Sequence, residues 1–176
     1  QPDVPGPPGA AELVEARQTS LTISWAPPAT DGGCPVVRYF VRGAAAGEDG
    51  TFERHTRDAS TTLTVKGLVG NTRYVFWVCA LNSSGLSPSS TASSPLLTGP
   101  VPPGPPCSLV LAEVANDTAT LLWKPPADSG GMAITCYHVD VSCNSDSFAE
   151  NTVEPSILLV GLRGNAKYSA RVHALS

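Results

Sequence analysis

The sequence is poor in charge. Of its 176 residues only 15% are Asp, Glu, Lys or Arg, and the net charge is −4. No Lys or Arg stands beside another. A basic groove for nucleic acid and a polybasic membrane contact are therefore not expected. No apolar run approaches the ~20 residues that a membrane helix needs, so no membrane span is expected here. The opening QPDVPGPPGA has neither the charged nor the apolar region of a secretory signal. It reads as a linker arriving from an upstream chain. Catalytic signatures are missing as well. There is no G-x-S-x-G, no H-E-x-x-H and no phosphate loop, and none of the three His stands beside a nucleophile in a recognisable motif. GLVGN and GLRGN carry glycines but lack the Lys and Ser/Thr of a phosphate loop. The expectation is no catalytic residue, no cofactor and no enzyme activity. The five cysteines contain no C-x-x-C, so no metal site is assigned. Five is also odd, so they cannot all pair within the chain.

What is present is a composition for short strands. Hydrophobic residues reach 41%, with 17 Pro and 16 Gly to punctuate them. The chain also repeats itself. WAPPATDGG at Trp25 to Gly33 returns as WKPPADSGG at Trp123 to Gly131. Trp25, Tyr39 and the Gly6-Pro7-Pro8 triplet recur 98 residues later; Leu68, Tyr74 and Ala80 recur 94 residues later. Four residues are thus missing from the second copy between Tyr137 and Leu162, as a shortened loop or edge strand would produce. A repeat of this length is a domain rather than a solenoid unit. Each copy holds period-two segments. Leu21, Ile23 and Trp25 alternate, as do Tyr39 and Val41, Leu63 and Val65, and Tyr74, Phe76, Val78 and Ala80. That period predicts antiparallel strands with one buried face. No stretch offers an amphipathic helix, so the fold class is all-β.

In combination these residues resemble fibronectin type III domains in tandem. The first copy carries the resemblance on Trp25, Pro27-Pro28, Tyr39-x-Val41, Leu68-x5-Tyr74 and VCALNSSGLSPSS; the second on Trp123, Pro125-Pro126, Tyr137-x-Val139 and Leu162-x5-Tyr168. The Leu-to-Tyr spacing is similar to a tyrosine corner, in which a phenol bonds back to nearby backbone. The resemblance implies two antiparallel β-sandwiches in an elongated arrangement: residues 1–99, a Pro-rich linker 100–106, and residues 107–176. After Ala80 the first copy runs on to about Thr98, the expected last strand. After Ala174 the second has only Leu175-Ser176, so its last strand is expected to be lacking, by a cut chain or by a strand supplied in trans.

The family register also implies an outward face. It sets Val41 across from Val78, and so Arg42 opposite Trp77 and Phe40 opposite Cys79. Arg38, Phe40, Arg42, Val75, Trp77 and Cys79 would share the solvent side as a binding surface, because Trp, Phe and Arg anchor interfaces. An Arg over an indole is worth about 0.5–1 kcal/mol. In the second copy Asp140 would face Arg171 as an ion pair, and His138 would face His173 with Cys136 nearby, a trio that could bind a transition metal. Cys34 lies too far from Cys79 for a disulfide, and Cys136 would meet Cys143 only if the chain folded back after Ser142. Mostly free thiols are expected. Asn82-Ser83-Ser84 and Asn116-Asp117-Thr118 are glycosylation sequons.

The function implied is non-enzymatic: a structural or protein-binding module of a larger extracellular or cell-surface protein, its partners other proteins or neighbouring modules. Two alternatives are an assembly module of a cytoplasmic or ciliary filament and an accessory module of a secreted enzyme. The duplicated WxPPxxxGG phrase reads as a loop, since the acid shifts from Asp31 to Asp128, one place earlier in the second copy.

Overall fold

The computed structural model describes residues 1–144 and 146–176. It divides into two compact units, Gln1–Pro100 and Val101–Ser176. Every regular element among the described residues is a strand, and every pairing between them is antiparallel.

In the first unit β1 (Glu12–Arg17), β2 (Ser20–Ser24) and β5 (Thr62–Lys66) form one sheet in the order β1-β2-β5. The second sheet runs β4-β3-β6-β7, from β3 (Arg38–Ala45), β4 (Thr51–His55), β6 (Arg73–Asn82) and β7 (Gly85–Leu86), with β8 (Leu96–Leu97) also on β6. Alternation decides what each strand buries. Leu21 and Ile23 from β2 meet Tyr39, Val41, Phe76, Val78 and Ala80 from β3 and β6 in one core. Trp25 closes one end of it, its ring set edge-on to Tyr39 at 5.4 Å. Burial pushes the Tyr39 phenol above its ordinary pKa of 10.0. A raised pKa means that this group's contribution to stability is complete below pH 10 and falls as pH rises through the folded value.

The stretch between β7 and β8 is held by a different period. Ser87, Ser90 and Ser93 donate their backbone N–H to the carbonyls of Ala80, Val78 and Phe76 at 2.8–2.9 Å. The N–H groups of the same three residues donate back to the serine hydroxyls at 2.8–3.0 Å. Contact at every third residue is polyproline II spacing, and Pro88 and Pro95 favour it. The expected long last strand is thus a serine ladder with a short strand at each end.

The same spacing recurs in both segments read from sequence as linkers. Asp3, Gly6 and Gly9 donate N–H to the carbonyls of Gly32, Thr30 and Ala26 at 2.8–2.9 Å. In the second unit Val101 and Gly104 donate to Gly130 and Asp128, each at 2.9 Å. Residues 1–9 and 101–106 are therefore docked edges of their own units, and the boundary falls at Pro100/Val101. Gly32 (φ 72°) and Gly130 (φ 71°) permit this approach. A Cβ at either would run into the carbonyl oxygen of Asp3 or Val101.

The second unit pairs β9 (Cys107–Val114), β10 (Thr118–Lys124) and β13 (Ser156–Val160) in the order β13-β10-β9. Its other sheet is β12-β11-β14, from β11 (Cys136–Cys143), β12 (Asp146–Thr152) and β14 (Ser169–Leu175). Trp123 packs edge-on to Tyr137 at 5.4 Å, repeating the first unit. Both tyrosine corners close: Val69 N–H donates to the Tyr74 hydroxyl at 2.9 Å and Arg163 N–H to the Tyr168 hydroxyl at 2.7 Å. The unit holds no counterpart of β7 or β8 among the described residues. An open cleft of about 750 Å³ lies between its sheets, walled by Leu111, Leu121, Val141, Leu159, Tyr168 and Ala170.

One cross-strand pair shows how the two cores diverged. Gly43 faces Phe76 in the first unit, and Val141 faces Ala170 in the second. A Cβ on Gly43 would overlap the Phe52 ring and approach Phe76 to 2.8 Å. Small and large have changed places across the ladder. Gly43→Val should therefore destabilise by about 1–3 kcal/mol through overpacking, and Phe76→Ala by about 3–5 kcal/mol. The double variant should cost less than the sum, by a coupling of about 1 kcal/mol or more in a denaturation cycle. Strictly additive costs would show that the two positions do not share space.

Candidate functional site: the open sheet face of the first unit

The outer side of β4-β3-β6 is built by the residues that alternate with the core. Its central row sets Arg42 between Glu53 and Trp77. The next row sets Phe40 between His55 and Cys79. Arg38 then faces Leu81, and Val75 faces Ala44. All six residues expected on this face are brought together on it. Phe40 leans on the His55 ring, centroids 5.8 Å apart. The Cys79 thiol lies 3.2 Å from the Ser89 hydroxyl of the serine ladder. Phe40, Trp77 and Cys79 are half-buried, while Arg42 is exposed. Glu53 and His55 were missed by sequence reasoning. The alternation of TFERH, with Phe52 packed against the core, carried the signal.

One expected contact differs. Among the described residues the cation–π contact is Arg54 over Phe52 at 5.3 Å, and not Arg42 over Trp77.

The matching face of the second unit has other chemistry. His138 pairs with His173 and Asp140 with Arg171, as the register implied. The Asp140 carboxylate turns to the imidazoles rather than to Arg171: it lies 3.3 Å from His138 Nε2 and 3.5 Å from His173 Nε2. His138 Nδ1 bonds Asn151 Oδ1 at 2.7 Å. Asp140, rather than Cys136, is thus the third member of the cluster. Among the described residues no group of three His, Cys, Asp or Glu is arranged to hold a metal ion. Cys136 and Cys143 sit at opposite ends of the straight strand β11, so the fold-back that would join them does not occur. All five cysteines are free thiols.

The fibronectin type III domain model matches residues 6–95 and 104–176. The chain belongs to the fibronectin type III family. Mouse cardiac-type myosin-binding protein C is 32% identical over 141 residues, 78% of this chain and 11% of that protein. Titin of Drosophila melanogaster is 32% identical over 142 residues, 77% of this chain and 1% of that protein. Human Roundabout homolog 2 is 35% identical over 102 residues, 57% of this chain and 7% of that protein. The chain thus spans a small part of the curated relatives it matches. The crystal structure of chicken CNTN1 FN1-FN3 domains shares the fold, with a TM-score of 0.58 and 19% identity over 98% of this chain and 62% of that one.

Within the first fibronectin type III module, Asn82 is not an exposed sequon. It is 3% exposed. Its Nδ2 donates to the carbonyls of Asp3 and Asp31, both at 2.7 Å. Its Oδ1 accepts the N–H of Ser84 at 2.8 Å and of Gly85 at 3.1 Å. One amide thus ties the N-terminal edge, the Asp31 loop and the turn after β6. The local N-S-S motif gave no sign of this, because burial is set by Asp3 and Asp31 far away in sequence. Asn116 is exposed in the β9–β10 turn. The loop acids have a matching local role. Asp31 Oδ1 accepts Gly33 N–H at 2.9 Å, and Asp128 Oδ1 accepts Gly130 N–H at 2.8 Å. Each carboxylate closes its own turn, so the drift in position costs nothing.

Asn82→Ala takes a partner from two N–H groups and two carbonyls that are part-buried, and should cost about 2 kcal/mol in chemical denaturation. A loss below about 0.5 kcal/mol would contradict the hub. On secretory expression, mass spectrometry should find glycan on Asn116 and none on Asn82.

Proposed function

We propose that this chain is a non-enzymatic structural and protein-binding segment of a larger modular protein, and that its contact surface is the Trp77 face of the first module. The observation that carries this reading is the grouping of Arg38, Phe40, Arg42 and Trp77 on an open sheet beside a core that does not need them. Aromatic and Arg side chains are the residue types that most often anchor protein interfaces. The relatives include modular muscle proteins and a cell-surface receptor, which supports a structural and protein-binding role at the level of the module. The partner of this chain is read as protein, either another component of its assembly or a neighbouring module.

For the setting, we favour a filament assembly inside the cell. Five free thiols fit a reducing compartment, the buried amide of Asn82 removes one sequon, and myosin-binding protein C and titin are among the relatives. A cell-surface setting is the second reading, favoured by the exposed Asn116 sequon and the likeness to Roundabout homolog 2.

Co-sedimentation of the 176-residue chain with isolated myofibrils tests both parts. The chain should pellet with the filaments. Trp77→Ser and Arg42→Ala should each weaken this about tenfold or more while the melting temperature stays within a few degrees. Equal binding by the double variant would remove the Trp77 face. Binding to intact cells with none to filaments would move the chain to the surface setting.

A further inference from the structure

The outer face of β13-β10-β9 differs between the two modules in a single direction. Registers match, so positions can be compared one for one. Glu12 faces Ser24 as Val110 faces Leu122. Thr22 faces Thr64 as Thr120 faces Leu158, and Ser20 faces Lys66 as Thr118 faces Val160. Four polar residues of the first module, Glu12, Ser24, Thr64 and Lys66, are thus four aliphatic residues in the second. None of the four is covered: Val110 is 51% exposed, Leu122 39%, Leu158 57% and Val160 60%. Leu122, Leu158 and Val160 do not line the cleft, because they alternate with the core residues Leu121, Trp123 and Leu159; Val110, on a strand exposed throughout, also borders the cleft. They form a diagonal stripe across three strands. In the first module the same surface carries a Thr22–Thr64 hydroxyl contact of 3.0 Å.

We propose that this stripe is a self-association surface, on which a second copy of the chain packs sheet against sheet. Flat faces of branched side chains pack onto one another at about 10 Å separation, with strands either nearly aligned or crossing near right angles, and an axis along a diagonal stripe gives the crossed arrangement. A contiguous exposed apolar patch on a soluble module marks a contact site. The charges beside the stripe select a second copy as the occupant. Glu113, opposite Thr120, borders it on one side, and Lys124, at the end of β10, borders it on the other. A two-fold axis laid along the stripe carries each Lys124 to the side of the other copy's Glu113. The patch is then self-complementary in shape and in charge, as an isologous pair requires. Four side chains are few against the ~800 Å² per partner of a stable complex, so the pair is weak and forms at high local concentration, as along a filament or in a cluster.

Sedimentation equilibrium of the full chain tests this. The weight-average mass should rise above the monomer's 18.2 kDa as concentration enters the roughly 0.1–1 mM range of weak complexes. Leu158→Thr with Val160→Lys, the residues that the first module carries at those places, should weaken association at least about tenfold with folding unchanged by circular dichroism. Lys124→Glu should weaken it and Lys124→Glu with Glu113→Lys should restore it. Trp77→Ser on the other module should leave it unaltered. A chain that stays monomeric throughout, or a Leu158→Thr/Val160→Lys variant that associates as the parent does, would overturn the proposal.

Discussion

The cross-strand register of β3 with β6 is the constraint on which the rest depends. Setting Val41 against Val78 sends Tyr39, Val41, Phe76, Val78 and Ala80 into one core. The same choice sends Phe40, Arg42, Trp77 and Cys79 to the outside. A slip of one residue would exchange the two sets, burying an Arg and exposing a Phe. The second module makes the identical choice with Val139 and Val172, and so fixes His138, Asp140 and His173 on its outer face. Trp25 against Tyr39 and Trp123 against Tyr137 hold this arrangement at one end, and the two tyrosine corners hold it at the other.

Around that ladder the edges are closed by polar groups rather than by longer strands. The serine hydroxyls of the first module accept N–H groups that a regular strand would meet with carbonyls. Asn82 supplies two donors and two acceptances at the place where three segments converge. Buried N–H and C=O groups must be paired, and these side chains do it where proline keeps the backbone from doing so. The duplicated WxPPxxxGG phrase belongs to the same scheme. Its prolines end β2 and β10, and Gly32 and Gly130 let a three-residue-period edge lie close against the turn.

Much of this was legible in the sequence. Period-two alternation is a direct print of which face is buried, so the strands, the core residues and the outer face of β3 and β6 could be read from it. The internal repeat did the rest, because two copies of one pattern remove accidental matches. What escaped has period three. Ser87, Ser90 and Ser93 fall where a regular last strand was expected, because the family pattern does not show their three-residue period, and Asp3, Gly6 and Gly9 read as a linker because proline suggests a spacer. The glycosylation motif at Asn82 is local, while its burial is decided by Asp31, 51 residues away. The aliphatic stripe of the second module escaped for another reason. Leu121 and Leu122, or Leu158 and Leu159, are adjacent apolar residues, and a run of that kind does not say which member points outward until the partner strands fix it.

Backbone contacts across β3 and β6 in solution are the most direct measure of the account. Proton NOEs on the labelled 176-residue chain should join Arg42 to Trp77, Phe40 to Cys79 and Val41 to Val78. Contacts joining Arg42 to Phe76 or to Val78 instead would mean a slipped ladder. The face assigned to binding would then lie in the core, and the account would fail at its root.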